Sequence, residues 1–447
     1  MNPTQAALKR PPSLADLSPL QQKKLGSFQG NPLEQFTYIA HTLGDVADIS
    51  NPEWQAYLLS HPEHIEFVHV QTGRIFDKGY NEPATQALLG NGLVTSERDF
   101  WLRQRRMIQP AFHRERIAGY GKVMVEYAER WVAAWQDGET RDVHADMMAV
   151  TLEIILKSLF DTEVGQETES FGHAMDQALG GMAGMFSGDP TAQDRFGQAV
   201  GEINNFTARV IAERRKNPVD HGDLLSMLLA AQDEEGTGMS DEQLLDECKT
   251  LIMAGHETTS NTLSWAFYLL SRHPEVEAKL HAELDRVLGG RTPGMEDLRA
   301  LEYTKLVIKE TMRLLPAVWG VGRRAAQDSE IGGYFVPAGT DLQMSQWVVH
   351  RDPRWYENPL EFRPERWADG LEKRIPKYAY FPFGGGPRMC IGNNFALMEA
   401  PLILATVAQK YRLRVLEEPV LEPSITLRPK HGLKVRLERA RRKAQKL

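Results

Sequence analysis

The chain has 447 residues, 42% of them hydrophobic and 25% charged, with a formal net charge of -8. That balance describes a globular protein with core enough to enclose a cofactor, and the negative charge argues for solubility and against a nucleic-acid partner. Two cysteines cannot build a disulfide framework or an iron–sulfur cluster, so a reducing, cytoplasmic setting is expected.

The N-terminal "MNPTQAALKRPPSLADLSPLQQKK" has no apolar run long enough for a signal peptide or a transmembrane segment. Length alone suggests about three domains at roughly 150 residues each. No linker, repeat or composition break supports that number. We therefore expect one domain over residues 1–447, with about residues 1–20 poorly ordered.

The pattern is helical over most of the length. "WLRQRR" sets Trp101 and Arg105 four apart, on one face of a helix. Amphipathic periods follow in "RIAGYGKVMVEYAERWVAAW", "MMAVTLEIILKSLF" and "FGQAVGEINNFTARVIAERRK", and later in "PEVEAKLHAELDRVL". Before the third of these, "HAMDQALGGMAGMFSGDP" carries Met175, Met182, Met185 and Phe186 among glycines. An amphipathic helix face explains these residues, and so does an adaptable apolar wall.

Ser240 with Gln243 three residues on resembles a capping box, and Pro274 supplies a stop. The stretch between fits one helix of roughly 48 Å at ~1.5 Å per residue. Midway, Gly255, His256, Glu257, Thr258 and Thr259 interrupt its apolar pattern. Glycine there costs about 1 kcal/mol relative to alanine, and threonine hydroxyls bond back to the preceding turn. A local break is expected, with something lying against it; a simple kink with a solvated Glu257 is the plain alternative.

"KETMRLLP" places Glu310 and Arg313 three apart, a natural ion pair. Between Asp328 and Val349 the period becomes two, with turns at Gly332-Gly333 and from Pro337 to Gly339, which reads as a small β-sheet. The fold class is mainly α with a minor β-sheet.

"FPFGGGPRMCIG" crowds three glycines and Arg388 around Cys390. Cys248, inside the long helix, reads as an inert buried thiol. Cys390 does not. Gly384, Gly385 and Gly386 allow backbone to lie against a flat surface, and Arg388 offers a planar cation suited to a carboxylate. The apolar helix that follows would direct its positive end towards the sulfur and favour the thiolate. A phosphate cradle would want Gly-Lys-Ser/Thr, which is absent. A thiolate under a flat, carboxylate-bearing ligand is the haem-thiolate arrangement. The basic C-terminal "KVRLERARRKAQKL" reads as a solvated tail or helix end.

The cysteine stretch resembles the haem signature of the cytochrome P450 monooxygenases, Phe-x-x-Gly-x-Arg-x-Cys-x-Gly. Phe383, Gly386, Arg388, Cys390 and Gly392 meet it, and Ala396 suits the small position on the next helix. Ala254 to Thr259 resembles that family's oxygen-activating motif. The resemblance implies that Thr258 assists oxygen activation and that Glu257 feeds protons through water. It further implies a structural Glu310–Arg313–Arg366 network, with "PERW" in place of the usual Pro-Glu-Arg-Phe. Trp101, Arg105, Arg388 and Arg323 look like haem-propionate ligands, Arg324 being the alternative should the register slip by one.

The likeness runs from about Asn91 to Leu437, its motifs in family order. It implies a cytochrome P450 fold with haem buried between the long central helix and the cysteine loop. Haem b, iron protoporphyrin IX, would be held non-covalently, with the Cys390 thiolate on its iron. The expected activity is that of an EC 1.14 oxidoreductase, a hydroxylase placing one atom of O2 on an apolar organic substrate. Style points to bacterial fatty-acid and carotenoid hydroxylases, so the substrate is expected to be fatty-acid, terpenoid or carotenoid-like. In one fatty-acid ω-hydroxylase group a haem-linked Glu stands where this chain has Ala254, so that ester is absent here. Electrons would come from a separate ferredoxin or flavodoxin with its reductase. In this family the methionine-rich segment forms a lid. A peroxygenase of the same fold would lack the Glu257–Thr258 pair; a haem sensor would need no proton relay. A helical scaffold would leave Cys390 unexplained.

Overall fold

A computed structural model describes residues 9–79, 83–161, 166–187, 189–217 and 219–440. It is mostly helical with small sheets. The chain packs as two compact units, the first built from Met1–Gly79, Lys309–Cys390 and Leu421–Arg428, the second from the remainder.

The first unit rests on a five-stranded sheet ordered Val46–Asp48, Ala56–Leu59, Asp341–Met344, Val321–Ala325, Phe76–Asp77. Ala56–Leu59 runs parallel to Asp341–Met344, and the other pairs are antiparallel. Its core face buries Leu59, Phe76, Leu342 and Met344 against Tyr378 and Phe381. The alternating segment forms a hairpin, Ser329–Ile331 with Tyr334–Val336, whose Gly332 and Gly333 adopt φ of +60° and +81°. Both glycines are needed there, because a two-residue turn of this hand puts both central residues in the left-handed region. The strand expectation fails after Met344. The hydroxyl of Ser345 accepts the Val348 amide and caps a short helix, Gln346–Val349.

In the second unit a three-stranded sheet joins Thr140–Asp142, Lys434–Arg439 and Tyr411–Val415, so the start of the basic C-terminal stretch is a strand, not a tail or helix end. Residues 441–447 lie outside the described residues. The amphipathic periods become helices Arg114–Ala133, Val143–Phe160, Ala192–Lys216 and Pro274–Leu288. The methionine-rich stretch belongs largely to helix Gln166–Ser187. Met175 and Met182 are buried. A Cβ on Gly181 would lie 2.9 Å from that of Phe196, so this helix packs close against Ala192–Lys216. The side chain of Phe186 lies outside the described residues.

The long helix spans Asp241–Arg272, capped by the Ser240 hydroxyl accepting from the Gln243 amide, with Pro274 opening the next helix. The expected break does not occur. Thr258 and Thr262 donate back to the carbonyls of Ala254 and Thr258, at 2.9 and 2.8 Å, without opening the helix. Gly255 serves packing: its Cβ would sit 2.8 Å from Cδ1 of Ile155 on helix Val143–Phe160. From that helix Thr151 also donates to the His256 carbonyl, at 3.1 Å.

Candidate functional site: cysteine loop and long-helix ledge

In the first unit, Phe383, Arg388 and Cys390 share one tight loop. The Cys390 amide donates to the Phe383 carbonyl at 3.0 Å, and the Met389 amide to that of Gly386 at 3.2 Å. Cys390 is exposed, whereas Cys248 is buried in the long helix, where burial raises its thiol pKa well above the usual range. The solvent-accessible thiol is the one in the loop. Its glycines answer to the protein's own packing: a Cβ on Gly385 would meet the Tyr378 ring, and one on Gly386, at φ +62°, the His69 carbonyl. The flat-surface reading is thus corrected at positions 385 and 386.

Glu310, Arg313 and Arg366 come together in full burial. Arg313 bridges both Glu310 oxygens, at 2.9 and 2.8 Å, and Arg366 donates to Oε1 at 2.8 Å. The remaining guanidinium hydrogens reach the carbonyls of His350, Pro359, Glu361, Glu357 and Asn358. A buried charge cluster persists only when its donors and acceptors are satisfied in this way. Sequence reasoning treated Trp367 as an aromatic substitute. Its indole N–H in fact donates to Glu310 Oε2 at 2.8 Å, a bond that phenylalanine cannot make.

The register at Arg323 and Arg324 follows strand alternation. Arg324 forms a two-bond pair with Asp341, at 2.7 and 2.9 Å. Arg323 is buried and donates to the Thr72 hydroxyl at 3.1 Å and to the Gly322 carbonyl at 2.6 Å. Asp341 thus occupies the alternative cation.

In the second unit, Trp101 and Arg105 stand on helix Arg98–Ile108, the tryptophan buried and the arginine half-buried. Gly392 caps helix Asn393–Ala408, on which Ala396 is partly exposed. On the long helix Ala254 is exposed and Thr258 half-exposed, while Glu257 and most other positions are buried. Midway along a buried helix, that is a ledge with a hydroxyl and a carboxyl beside it.

Sequence reasoning also missed a clasp. Asp246 accepts the Asn91 amide at 2.8 Å, and Glu247, whose pKa burial pushes up to about 8, accepts that of Leu93 at 2.9 Å. Gly90 and Gly92 leave room for the approach, since a Cβ on either would collide with Asp246 or Thr250. The segment leading to Trp101 is thereby tied to the long helix. "NGL" two residues after a helix was the only signal in the sequence.

The model of the family described as Cytochrome P450 matches residues 12–436. The chain belongs to the cytochrome P450 family, the haem-thiolate monooxygenases. It is 39% identical over 381 residues to a cyclooctat-9-en-7-ol 5-monooxygenase of Streptomyces melanosporofaciens, covering 83% of each chain. Against pentalenene oxygenase of Streptomyces avermitilis it is 34% identical, covering 86% of each. The crystal structure of a cytochrome P450DA heme domain superposes with a TM-score of 0.88 at 29% identity, covering 97% of this chain and 98% of that one. The family cofactor is haem with a cysteine thiolate on its iron. Within the first unit the donor set fits that group: an exposed thiol in a tight loop, with Arg388 and Arg323 as cations for carboxylates. Among the described residues no helix is long and apolar enough to cross a membrane.

Proposed function

We propose that this monooxygenase hydroxylates an apolar, cyclic, terpenoid-like hydrocarbon or its alcohol, with electrons from a separate ferredoxin or flavodoxin and its reductase. The names of the relatives support that substrate class. When bound through Cys390, haem supplies O2 activation and the oxidising power to functionalise a C–H bond.

The chain's own residues do the rest. Cys390 supplies a thiolate, and Phe383, Gly392 and Ala396 frame its approach. Arg388, Arg323, Trp101 and Arg105 offer donors to two carboxylates. Ala254 leaves space on the ledge. The Thr258 hydroxyl already donates to the Ala254 carbonyl at 2.9 Å, so its oxygen remains able to accept a proton-bearing group. Glu257, one residue before, is a carboxyl able to pass protons through water to that hydroxyl. This juxtaposition on one turn carries the reading, because a sensor or scaffold has no use for a proton relay.

The test is titration of the purified holoprotein with cyclic terpene hydrocarbons, terpene alcohols and fatty acids, read as the haem spin-state shift, then turnover under isotopically labelled O2 with a bacterial ferredoxin and reductase. The proposal expects the terpenes to shift the spin state and the product to carry one labelled oxygen. A shift with fatty acids alone overturns the substrate class. Unlabelled product overturns the reaction.

A further inference from the structure

We propose that His69 and Tyr378 are positioning residues for the cysteine loop, gripping the Gly385–Gly386 peptide and, through it, the turn that presents Cys390. The inference rests on the reading of Cys390 as the haem ligand.

His69 is the penultimate residue of helix Pro62–Val70, within the first unit, and is fully buried. Its ring stacks on Tyr378 with centroids 5.4 Å apart and planes 21° apart, and meets Phe381 edge-on at 5.9 Å. The Tyr378 hydroxyl accepts the Gly386 amide at 3.1 Å. That N–H and the Gly385 carbonyl belong to one peptide plane. Neither His69 nitrogen completes a hydrogen bond of good geometry, yet the Gly385 backbone acts electrostatically on the ring. Burial first, then the Arg323 cation, push its pKa down to about 3, against the pull of Gly385 and with Lys78 adding to the fall. The ring is therefore neutral, and one of its nitrogens carries a proton that can face the peptide.

Packing closes the grip. A Cβ on Gly386 would lie 2.0 Å from the His69 carbonyl, one on Gly384 3.8 Å from His69 Cε1, and one on Gly385 2.3 Å from Tyr378 Cε1. Two successive loop positions, Gly385 and Gly386, are thus closed to any side chain by Tyr378 and the His69 carbonyl, and Gly384 lies in ordinary contact range of the His69 ring. The grip reaches the cysteine by a short route. The Gly386 carbonyl accepts the Met389 amide, and the Phe383 carbonyl accepts that of Cys390. Turning the 385–386 peptide would change φ at Gly386, the residue whose carbonyl, in the next peptide plane, accepts the Met389 amide and closes the Gly386–Arg388 turn. The dipoles around the sulfur would turn with it. His69 and Tyr378 should therefore tune how firmly the thiolate holds iron, not merely whether the protein folds.

The experiment compares wild type with His69→Leu, His69→Asn and Tyr378→Phe as haem-loaded proteins. It measures the reduction potential and the rate at which the thiolate Soret band of the reduced carbon-monoxide complex is lost at mildly acidic pH. Apoprotein melting serves as the control for folding. Loss of one such polar contact predicts band decay about three- to tenfold faster in His69→Leu and Tyr378→Phe, with a moved potential. His69→Asn, which restores a polar N–H, should return towards wild type. Should His69→Leu fail to fold, Tyr378→Phe carries the test, since it removes a single oxygen from a retained ring. Equal decay rates and potentials in all variants overturn the inference alone. A wild type without the thiolate band overturns the haem-ligand reading, and the inference with it.

Discussion

The cysteine loop and the middle of the long helix use glycine and polar residues in opposite ways. In the loop, Gly386 sits at φ +62° against the His69 carbonyl, so the backbone itself is specialised. In the helix the backbone is ordinary. Gly255 admits Ile155, Thr258 bonds back one turn, and the special feature is a side-chain ledge at Ala254. A site that must present one atom at one angle is built from constrained backbone. One that must pass protons needs only side chains on a regular support.

That contrast can be broken most severely at the buried Glu310 cluster. Arg313→Ala leaves Glu310 buried with much of its pairing gone, at a cost of about 3–5 kcal/mol. We expect loss of haem retention and of cooperative unfolding, seen by calorimetry. Thr258→Ala should leave stability and the carbon-monoxide spectrum unchanged. Its effect should fall on chemistry, with the yield of product per electron dropping by about 100-fold and Thr258→Ser recovering much of it. If Thr258→Ala instead melts early, the helix middle is structural like the loop.

Acid sharpens the comparison. His69 and His350 are buried and neutral, each pushed down to about 3 by burial and then by Arg323 and Arg313 respectively. The unfolded chain takes up these protons near 6.5 and the native chain only near 3, so their contribution is full above 6.5 and is lost as pH falls through that window. Both pack on the loop segment, since the Phe381 amide donates to His350 Nε2 at 3.0 Å. Acid should therefore erode the thiolate band before it erodes helicity, measured side by side by absorption and circular dichroism. The smallest effect is expected from Trp367→Phe, which removes one of several donors to Glu310. A loss of about 1–2 kcal/mol in denaturant unfolding would fit; no change would mean that the indole bond is idle.

Much of this was legible because the chemistry is local in sequence. Phe383 to Gly392 is one short stretch, the long helix announces its cap at Ser240, and Glu310 and Arg313 are one turn apart. What was hidden is whatever needs a distant partner. Short strands such as Phe76–Asp77 and Val46–Asp48 carry too few residues for a period, and their pairing is set by neighbours far along the chain. Gly386 looked like room for a ligand because nothing near it in sequence announces His69 as its neighbour. The helix at Gln346–Val349 was hidden by a preceding strand whose alternation runs on into "WVV". The clasp of Asn91 and Leu93 on Asp246 and Glu247 joins residues more than 150 positions apart.

The central claim is that Cys390, exposed in its constrained loop, is the iron ligand, while Cys248 is an inert core thiol. Its most direct test is the absorption spectrum of the reduced protein with carbon monoxide, for wild type, Cys390→Ser and Cys248→Ser. The account predicts a strongly red-shifted Soret band in wild type and Cys248→Ser, and none in a folded, haem-containing Cys390→Ser. A red-shifted band that survives Cys390→Ser, or a haem-loaded wild type that never shows one, would contradict it.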